Sequence, residues 1–509
     1  MKEYLLGIDI GTSACKVAAF RFDGTVVASA SAEYPVFYPK EGWAEQNPED
    51  WWMGVCRSVK QIIASGDINA DEIAGIGVAG QSWSAVAMDA NGKVLTNNPS
   101  WMDFRAQSIC DRLNRIIGAD TIFKAAGNSL QPSYTTTKIL WYQENLPEVF
   151  EQIDTILQCN SFIVQRLTGQ KTMDISQGYG LHCFNLRTGK WDDRMCDKMG
   201  IPRSFLPEIS ECCEVVGSVT PEAAALTSLS AGIPVVAGGL DAACATLGAG
   251  VVEPGETQEQ GGQAGGMSIC LDTFYADPRL ILGYHAVPGK WLLQGGTTGG
   301  SGTMRWFEHE FAEYERSIAE ETGVSSLIQL NQIAAEVPAG SEGLVFLPYM
   351  SGERSPIWDP LAKGVFYGVD FAKTKGHFVR AVMEGVALSL RHNLDIAGSC
   401  GAHVDELRAV GGAANSLLWT QIKADVTGKP IKVPASDIAT TLGAAILAGV
   451  GVGVYSDCET AAAKTIHVTR THQPNPENRN IYEQSYRIYL ELYEQLKETM
   501  KKQGDEQNG

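Results

Sequence analysis

The feature that most constrains the fold is an aspartate set between two strand patterns near the start of the chain. Residues 4–10 read as an apolar strand, the turn Gly11-Thr12-Ser13 follows, and a second strand pattern covers residues 16–22. Glycine in this turn lets the backbone approach an anion closely, and the hydroxyls and amides beside it can hold the anion's oxygens. The sequence therefore predicts a β-hairpin that clamps a phosphate group, with Asp9 at the end of its first strand.

A second aspartate follows a similar pattern much later in the chain. Asp241 comes after the apolar run 233–237 and the pair Gly238-Gly239. We expect the run to form a strand that brings the carboxylate to a strand end. A carboxylate there is costly to keep unless a partner uses it. The chain thus combines a predicted nucleotide site with a candidate base.

Length and charge limit the classes of protein to consider. A chain of 509 residues exceeds a single hydrophobic core and indicates two domains of about 200 to 250 residues each. The formal net charge is −19 and the basic residues form no long run, so we expect neither nucleic acid nor an anionic membrane as a partner. An acidic protein that binds ATP would have to concentrate its few cations locally and rely on Mg²⁺.

Cysteine usage and hydropathy predict a cytoplasmic protein. The twelve cysteines are scattered without a Cys-x-x-Cys pair, which indicates reduced thiols. The apolar stretch 442–455 is rich in glycine and falls short of the roughly 18 to 20 residues that span a bilayer. Asp9 interrupts the first apolar run, so no signal peptide is expected.

Periodicity predicts that one α/β pattern occurs twice. In the first half, three antiparallel strands precede a helix around residues 51–63 and a strand at 73–78. In the second half, strand patterns appear again and a long helix is predicted over residues 377–396. We therefore predict two α/β domains with mixed sheets, residues 1–247 and 248–509.

Three more glycine-rich loops lie in the second half. They cover residues 260–266, 295–302 and 410–416, and each leads into or out of a predicted strand. A single glycine cluster is more often a tight turn than a ligand cradle. Together with the first hairpin, however, loops on two facing α/β halves favour a nucleotide cleft.

Longer segments carry a resemblance to a known family. Residues 364–369, followed after seven residues by 377–384, fit the long C-terminal signature of the FGGY carbohydrate kinases at every specified position. The shorter signature of that family matches residues 133–145 with one departure, at Tyr142. The chain resembles this family from residue 4 to about residue 495, and within the family it looks most like xylulokinases and related pentulose kinases.

The resemblance implies a fold, a reaction and a set of site residues. The implied fold is a two-domain α/β fold of the actin and hexokinase type (ribonuclease H-like), with a sugar side in the first half, a nucleotide side in the second and the cleft between them. Asp241 would be the general base, Asp9 would hold Mg²⁺, and ATP would be the phosphoryl donor. The residues implied to contact ATP are Thr12, Ser13, Lys16, Gly262, Gln263, Gly265, Gly302, Gly411, Gly412, Ala413 and Asn415.

The sugar side departs from the family's patterns. Gln81-Ser82-Trp83 stands where typical xylulokinases read Gln-Met-His, and Ala242 stands where they have Asn. Trp101 and Asp103 keep the usual aromatic face and carboxylate, although Trp101 fits the core as well as a pocket wall. The candidate substrate-binding residues are Gln81, Ser82, Trp83, Trp101 and Asp103.

The resemblance implies ATP-dependent phosphorylation of a primary hydroxyl on a small ketose, with a pentulose such as xylulose favoured, and we expect a homodimer as one assembly. The altered sugar loop keeps open a kinase for another polyol or for a modified, signalling carbohydrate. A sugar- or nucleotide-sensing protein and an ATPase of the same superfold are non-kinase alternatives. Asp9, Thr12 and Asp241 together argue against a mere binder, because binding needs no base.

Overall fold

A computed structural model of the protein describes residues 2–435 and 438–507, and within them two mixed seven-stranded sheets form the framework. The strands of the first sheet are β1 (Tyr4–Ile10), β2 (Ala14–Arg21), β3 (Val26–Glu33), β4 (Ile73–Gly80), β5 (Val215–Ser218), β6 (Pro234–Val236) and β7 (Gly239–Leu240). Those of the second sheet are β8 (Glu256–Gly261), β9 (Gly265–Leu271), β10 (Ile281–Tyr284), β11 (Trp291–Thr297), β12 (Glu406–Val410), β13 (Ile431–Pro434) and β14 (Val468–His472).

Six strands in each sheet are arranged alike, whereas β7 in the first sheet and β10 in the second have no counterpart. In the first, β1, β2 and β3 pair antiparallel, β4 lies parallel to β1, and β6 lies parallel to β4. In the second, β8, β9 and β11 pair antiparallel, β12 lies parallel to β8, and β13 lies parallel to β12. An antiparallel strand, β5 or β14, closes the parallel side of each sheet. The predicted repetition of one α/β pattern is confirmed.

Helices cover and connect the sheets. They are α1 (Pro48–Ala64), α2 (Gln107–Leu113), α3 (Ala119–Ala126), α4 (Thr135–Asn145), α5 (Pro147–Phe150), α6 (Cys159–Thr168), α7 (Asp193–Met199), α8 (Pro221–Thr227), α9 (Asp241–Gly248), α10 (Ser301–Phe311), α11 (Glu313–Thr322), α12 (Ser326–Ala335), α13 (Lys375–Ser399), α14 (Leu417–Thr427), α15 (Ala439–Gly451), α16 (Cys458–Thr465) and α17 (Arg479–Gln507). Short strands pair in two-stranded ribbons: Glu45–Gln46 with Asn98–Pro99, Val86–Met88 with Thr155–Leu157, Thr172–Asp174 with Glu208–Ser210, Phe184–Asn185 with Lys190–Trp191, and Val345–Leu347 with Val365–Tyr367. Within the described residues, no helix is long and apolar enough to cross a membrane.

Residues of the two family signatures have structural roles that the sequence alone did not reveal. His377 caps the long helix α13, because its Nδ1 lies 3.1 Å from the Thr374 amide nitrogen and 2.9 Å from the Thr374 hydroxyl oxygen. Tyr142, the one departure in the shorter signature, is buried and donates its hydroxyl to the carbonyl of Ala85 at 3.0 Å. An aromatic residue with a satisfied hydroxyl therefore fits this position.

Helix α15 belongs to the second half of the chain but packs directly against the first sheet. A β-carbon on Gly7 of β1 would lie 2.0 Å from the carbonyl oxygen of Thr441, and one on Gly77 of β4 would lie 1.9 Å from that of Ala444. Only glycine permits such an approach of helix and sheet backbones. The packing of the two halves is thus continuous through α15, and the predicted domain boundary after residue 247 stays a prediction.

Candidate active site

The ends of three neighbouring strands bring two aspartates to one edge of the first sheet. Asp9 pairs with Ala79 across the parallel ladder of β1 and β4, and Leu240 of β7 pairs with Gly80 at the end of β4. Asp241 follows Leu240 directly and is the first residue of α9. Because the carboxyl ends of parallel strands meet at one edge, the two carboxylates approach each other despite their separation in sequence.

Both aspartates are half-buried, and Oδ1 of Asp9 is shielded from water. Burial and, to a smaller extent, the negative charge of Asp241 raise the pKa of Asp9 to about 7, against the opposing charge of Lys16 on the paired strand. Burial also raises the pKa of Asp241 to about 6, against a hydrogen bond of 2.6 Å from the Ala242 amide to Oδ1. Two desolvated carboxylates that repel each other favour the binding of a proton or a cation. Such a pair is typical of a functional site.

Asp9 is the residue that fits a magnesium ion. Its Oδ1 is buried and has no hydrogen-bond partner within residues 2–435 and 438–507. Among the residues that the structure describes, no group of three or more His, Cys, Asp or Glu side chains is arranged to hold a metal. Magnesium at phosphate sites takes one or two protein carboxylates and completes its octahedron with waters and phosphate oxygens. An orphaned carboxylate beside a phosphate turn meets that requirement.

The predicted phosphate turn links directly to the predicted sugar side. The hydroxyl oxygen of Thr12 accepts a hydrogen bond of 3.0 Å from the indole nitrogen of Trp101, and the Thr12 carbonyl accepts one of 2.7 Å from Gln46. Because the Thr12 hydroxyl accepts from Trp101, its own hydrogen stays free for a phosphate oxygen. Ser13 and Lys16 are exposed beside it. Trp101 is therefore a half-buried neighbour of the turn rather than a core residue.

Gln81 is buried at the end of β4 and held from two sides. Its backbone nitrogen donates to the Ile10 carbonyl at 3.0 Å, and its side-chain Nε2 donates to Gln46 Oε1 at 2.8 Å. Its Oε1 is buried, and none of the residues that the structure describes is a hydrogen-bond partner for it. A buried acceptor without a partner is costly, so this oxygen is suited to receive a ligand hydroxyl.

Trp83 lies among aromatic side chains in an unusual backbone conformation. Its φ of 61° is in the left-handed region, and its ring packs against those of Tyr134 and Tyr179, with centroids 4.3 and 5.9 Å away. Tyr179 also donates its hydroxyl to Ser82 at 3.1 Å. The indole nitrogen of Trp83 is buried, and no acceptor among the described residues lies in good hydrogen-bond geometry with it. Ser82 and Trp83 thus form one wall of the predicted sugar pocket, and the indole nitrogen is a hydrogen-bond donor in that wall.

Asp103 does not fit the role predicted for it. Its two carboxylate oxygens accept hydrogen bonds from the guanidinium and amide of Arg105 and from the amide of Ala44, at 2.7 to 3.0 Å. Arg105 also pairs with Glu45 at 2.7 Å and lies over the Trp43 ring. Because protein donors occupy both oxygens, Asp103 supports the loop structurally, and the expected contact with sugar hydroxyls is not supported by this geometry.

The predicted nucleotide loops converge at one edge of the second sheet. Gln260 at the end of β8 pairs with Val410 at the end of β12, and Gly265 pairs with Thr297. Gly411 has a φ of 86°, and a β-carbon there would lie 3.0 Å from the Gly261 carbonyl oxygen. The loops are therefore in contact, and Gly411 is required both by its backbone angle and by its close approach.

The altered loop around Gln263 packs onto the start of α10. The carbonyls of Gly262 and Gln263 accept the amides of Ser301 and Gly302 at 2.8 and 3.0 Å. A β-carbon on Gly302 would lie 2.3 Å from the side-chain nitrogen of Gln263, so that side chain lies across the glycine. Gln263 itself is exposed. It can therefore offer an amide donor where family members carry hydroxyls.

A cavity of 490 Å³ opens beside these loops. Its wall is mostly apolar, with three amide side chains on it. The predicted residues Gly412, Ala413 and Asn415 line it, and helices α10, α12 and α14 supply Met304, Leu327, Ile328, Asn331, Gln332, Leu417 and Trp419. An apolar slot with a few amides suits a nucleobase. Sequence reasoning missed the residues of α12, because that helix carries no glycine motif.

Sequence reasoning also assigned no role to Glu353 and Arg354. Glu353 Oε1 accepts the Thr298 amide at 2.7 Å, and burial raises the pKa of this carboxyl to about 7. The Arg354 guanidinium lies against Gly296 and donates to the Thr297 carbonyl at 3.2 Å. Burial raises the pKa of the Tyr134 hydroxyl, and the charge of Arg354 opposes that rise, so the two halves approach each other here.

Two α/β halves with a Gly11 hairpin turn, a carboxylate pair and converging glycine loops have the architecture of phosphotransferases of the actin and hexokinase fold. Comparison with known proteins gives the family. The model of the FGGY carbohydrate kinase N-terminal domain matches residues 4–248, and that of the C-terminal domain matches residues 276–452. The chain belongs to the FGGY family of carbohydrate kinases. It is a sugar kinase, and this family uses ATP.

Its relatives are named for more than one sugar. The chain is 30% identical to the xylulose kinase of Bacillus subtilis over 498 residues, which cover 97% of this chain and 98% of that one. It is 28% identical to the gluconokinase of Bacillus licheniformis over 494 residues, 97% of this chain and 96% of that one. The crystal structure of xylulose kinase from Rhodospirillum rubrum superposes with a TM-score of 0.89 at 30% identity, covering 98% and 99% of the two chains. Family membership therefore leaves the sugar open.

Proposed function

We propose that the protein transfers the γ-phosphoryl group of ATP to a primary hydroxyl of a small ketose, with a pentulose such as xylulose favoured. The observation that carries this proposal is the pair of desolvated carboxylates, Asp9 and Asp241, beside the Thr12 turn. Kinases need little covalent help from protein, because in-line positioning and charge stabilisation supply most of the rate. The residues at the two sheet edges match those needs.

Asp241 is the proposed general base. With its pKa raised to about 6, the carboxylate is ionised at neutral pH yet is a better proton acceptor than an ordinary aspartate. The Ala242 amide holds Oδ1, which leaves Oδ2 to approach the sugar hydroxyl. The proton moves late, as the new phosphorus–oxygen bond forms, so a carboxylate of moderate basicity suffices.

Asp9 is the proposed ligand of Mg²⁺, directly or through a water. When bound, the ion neutralises charge on the phosphate oxygens. The Thr12 hydroxyl and the amides of Gly11 to Ser13 would contact the transferring phosphoryl group, with Lys16 nearby. The loops at Gly262 to Gly265, with Gln263 and Gly302, would hold the remaining phosphates. The adenine would lie in the 490 Å³ cavity beside Gly411, Gly412, Ala413 and Asn415.

The proposed sugar pocket is built by Gln81, Ser82, Trp83 and Trp101. Gln81 Oε1 supplies an acceptor and the Trp83 indole nitrogen supplies a donor, and each is buried with no hydrogen-bond partner in the part of the chain that the structure describes. The indole face adds apolar contact with the carbon chain of the sugar. Relatives named as xylulose kinases support a pentulose.

Two observations favour a second class of substrate, another polyol or a modified carbohydrate. Gluconokinases match the chain at similar identity, and Trp83 and Ala242 replace polar residues usual in xylulokinases. A kinase for another polyol or a modified carbohydrate is therefore the alternative. The non-kinase alternatives are set aside by membership of a sugar kinase family. A homodimer and a cytoplasmic location stay predictions.

Trp83→His should shift the sugar preference towards D-xylulose. Imidazole offers both a donor and an acceptor, whereas indole offers only a donor. A hydroxyl left without an acceptor costs about 1 to 3 kcal/mol, or roughly ten- to a hundred-fold in kcat/KM. The measurement is kcat/KM for D-xylulose against other ketoses, with Trp83→Phe as the control that removes the donor without adding an acceptor. If wild type already prefers D-xylulose and Trp83→His leaves the ranking unchanged, Trp83 does not face the sugar.

Sugar and nucleotide should bind cooperatively, because their proposed residues lie in different halves. Binding both ligands should favour a closed arrangement that excludes water. We expect the radius of gyration from small-angle scattering to fall when sugar and a non-hydrolysable ATP analogue are added together. We also expect the sugar to lower the dissociation constant of the analogue. A radius of gyration unchanged by both ligands, together with independent binding, would contradict the proposed closure.

A further inference from the structure

Lys138 is a buried lysine without a carboxylate partner. Its side chain in α4 has no exposed surface, and no ion pair forms with it among residues 2–435 and 438–507. Its Nζ donates a hydrogen bond of 2.6 Å to the carbonyl oxygen of Trp83. Burial lowers the pKa of Lys138 to about 7; the charge of Asp103 opposes this shift and that of Arg105 adds to it. A position that served packing alone would favour an apolar side chain of similar length.

The residue that Lys138 holds has a backbone conformation that side chains rarely adopt. Trp83 has a φ of 61°, in the left-handed region. This region is disfavoured for a bulky residue, and it persists only where the surroundings enforce it. Strained positions of this kind occur preferentially at ligand sites. The hydrogen bond from Lys138 fixes the orientation of the carbonyl on the C-terminal side of this left-handed residue.

The indole of Trp83 is confined on two further sides. Its ring packs on that of Tyr134, which directly precedes α4 and so lies one turn from Lys138. On another side, a β-carbon on Gly180 would lie 2.6 Å from Trp83 Cδ1. The two parts of Trp83 are thus held separately. Lys138 holds its carbonyl, and the ring packs between Tyr134 and the backbone at Gly180.

We infer that Lys138 is a positioning residue for the sugar: by holding the Trp83 carbonyl it keeps the left-handed turn that directs the indole into the sugar pocket. This inference rests on the proposed sugar pocket at residues 81 to 83. Lys138 lies beneath the loop and does not touch the substrate, so its effect reaches the sugar only through Trp83. It follows that replacing Lys138 alters sugar affinity but not nucleotide affinity.

Lys138→Met tests this directly. We expect the KM for the sugar to rise about tenfold or more, while kcat and the dissociation constant of a non-hydrolysable ATP analogue change less than about threefold. Lys138→Gln keeps a donor for the Trp83 carbonyl and should recover part of the sugar affinity. Lys124→Met, at an exposed position, is the matched control and should behave as wild type. Equal losses of sugar and nucleotide affinity in Lys138→Met would overturn the inference.

A double-mutant cycle separates positioning from general destabilisation. Glycine adopts a positive φ without strain and has no indole, so in a Trp83→Gly background Lys138→Met should change the sugar KM less than about twofold. A KM increase of the same size with and without Trp83 would mean that Lys138 acts by another route. If Lys138→Met does not fold, the same cycle is run with Lys138→Gln, and the same two outcomes decide.

The cycle is measured with whichever acceptor wild type phosphorylates most efficiently. A best acceptor that is a sugar acid or polyol would contradict the proposed ketose, yet the coupling between residues 83 and 138 would still be measurable. Absence of coupling with a confirmed ketose would contradict only the role of Lys138. The two failures are therefore distinguishable.

Discussion

Asp241→Asn should reduce kcat by about a hundred-fold or more while the dissociation constant of the sugar changes less than about threefold. The amide keeps the shape of the carboxylate but cannot accept the proton, and general base catalysis contributes about 10² to 10⁴ in rate. The measurement combines steady-state kinetics with direct titration of the sugar. Asp272→Asn, an exposed aspartate in the second half, is the control and should retain wild-type turnover.

Retention of more than about a tenth of the wild-type kcat by Asp241→Asn would place the base elsewhere in the pocket. Loss of sugar binding in this variant would instead point to a role in holding the substrate. We expect Asp241 to act as the general base rather than to hold the substrate, because the Ala242 amide already fixes the orientation of its carboxylate.

Asp9→Asn should stabilise the ligand-free protein at pH 8 and leave it without useful kinase activity. The folded-state pKa of Asp9 is raised from 3.8 to about 7, so the folded protein binds this proton more tightly than the unfolded chain does. The stabilisation that protonated Asp9 provides at low pH is therefore lost as the pH rises through about 7. At pH 8 the ionised, buried Asp9 costs up to about 4 kcal/mol, at about 1.4 kcal/mol per pKa unit, and a neutral amide avoids that cost.

Thermal unfolding at pH 8 and pH 5, without nucleotide or metal, measures this effect. The midpoint of Asp9→Asn should exceed that of wild type at pH 8, and the difference should shrink at pH 5. A difference that grows on acidification would contradict the desolvation of Asp9. The kinase activity of the same variant should fall sharply, as expected where a functional charge is kept at the expense of stability.

Local patterns predicted the elements that carry the site. The alternation of residues 4–10, the Gly11 turn and the strand at 73–78 follow from local chemistry, and the structure contains β1, β2 and β4 there. Strand ends in a parallel arrangement then require Asp9 and Asp241 to approach each other. The strands and the turn depend on neighbours in sequence, and so the sequence reveals them, whereas the approach of Asp9 and Asp241 depends on how β1, β4 and β7 pair.

Features that depend on distant partners were not predictable in this way. Asp103 lies in a sequence motif that predicts contact with a sugar, but in the folded chain Arg105 and Ala44 donate hydrogen bonds to its carboxylate oxygens. Nothing in the sequence near Trp83 indicates its left-handed backbone or the hydrogen bond that its carbonyl accepts from Lys138 of another element. The contact of α15 with Gly7 likewise arises only when the two halves pack.

The most direct test of the account is ADP release by wild type with ATP and Mg²⁺ across a panel of acceptors: D-xylulose, D-ribulose, gluconate, glycerol and other polyols. The account predicts acceptor-dependent ADP release that is highest with a ketose, and a product that carries one phosphate on a primary hydroxyl. Release that depends on no acceptor, or that is highest with gluconate or a simple polyol, would contradict the proposed ketose kinase.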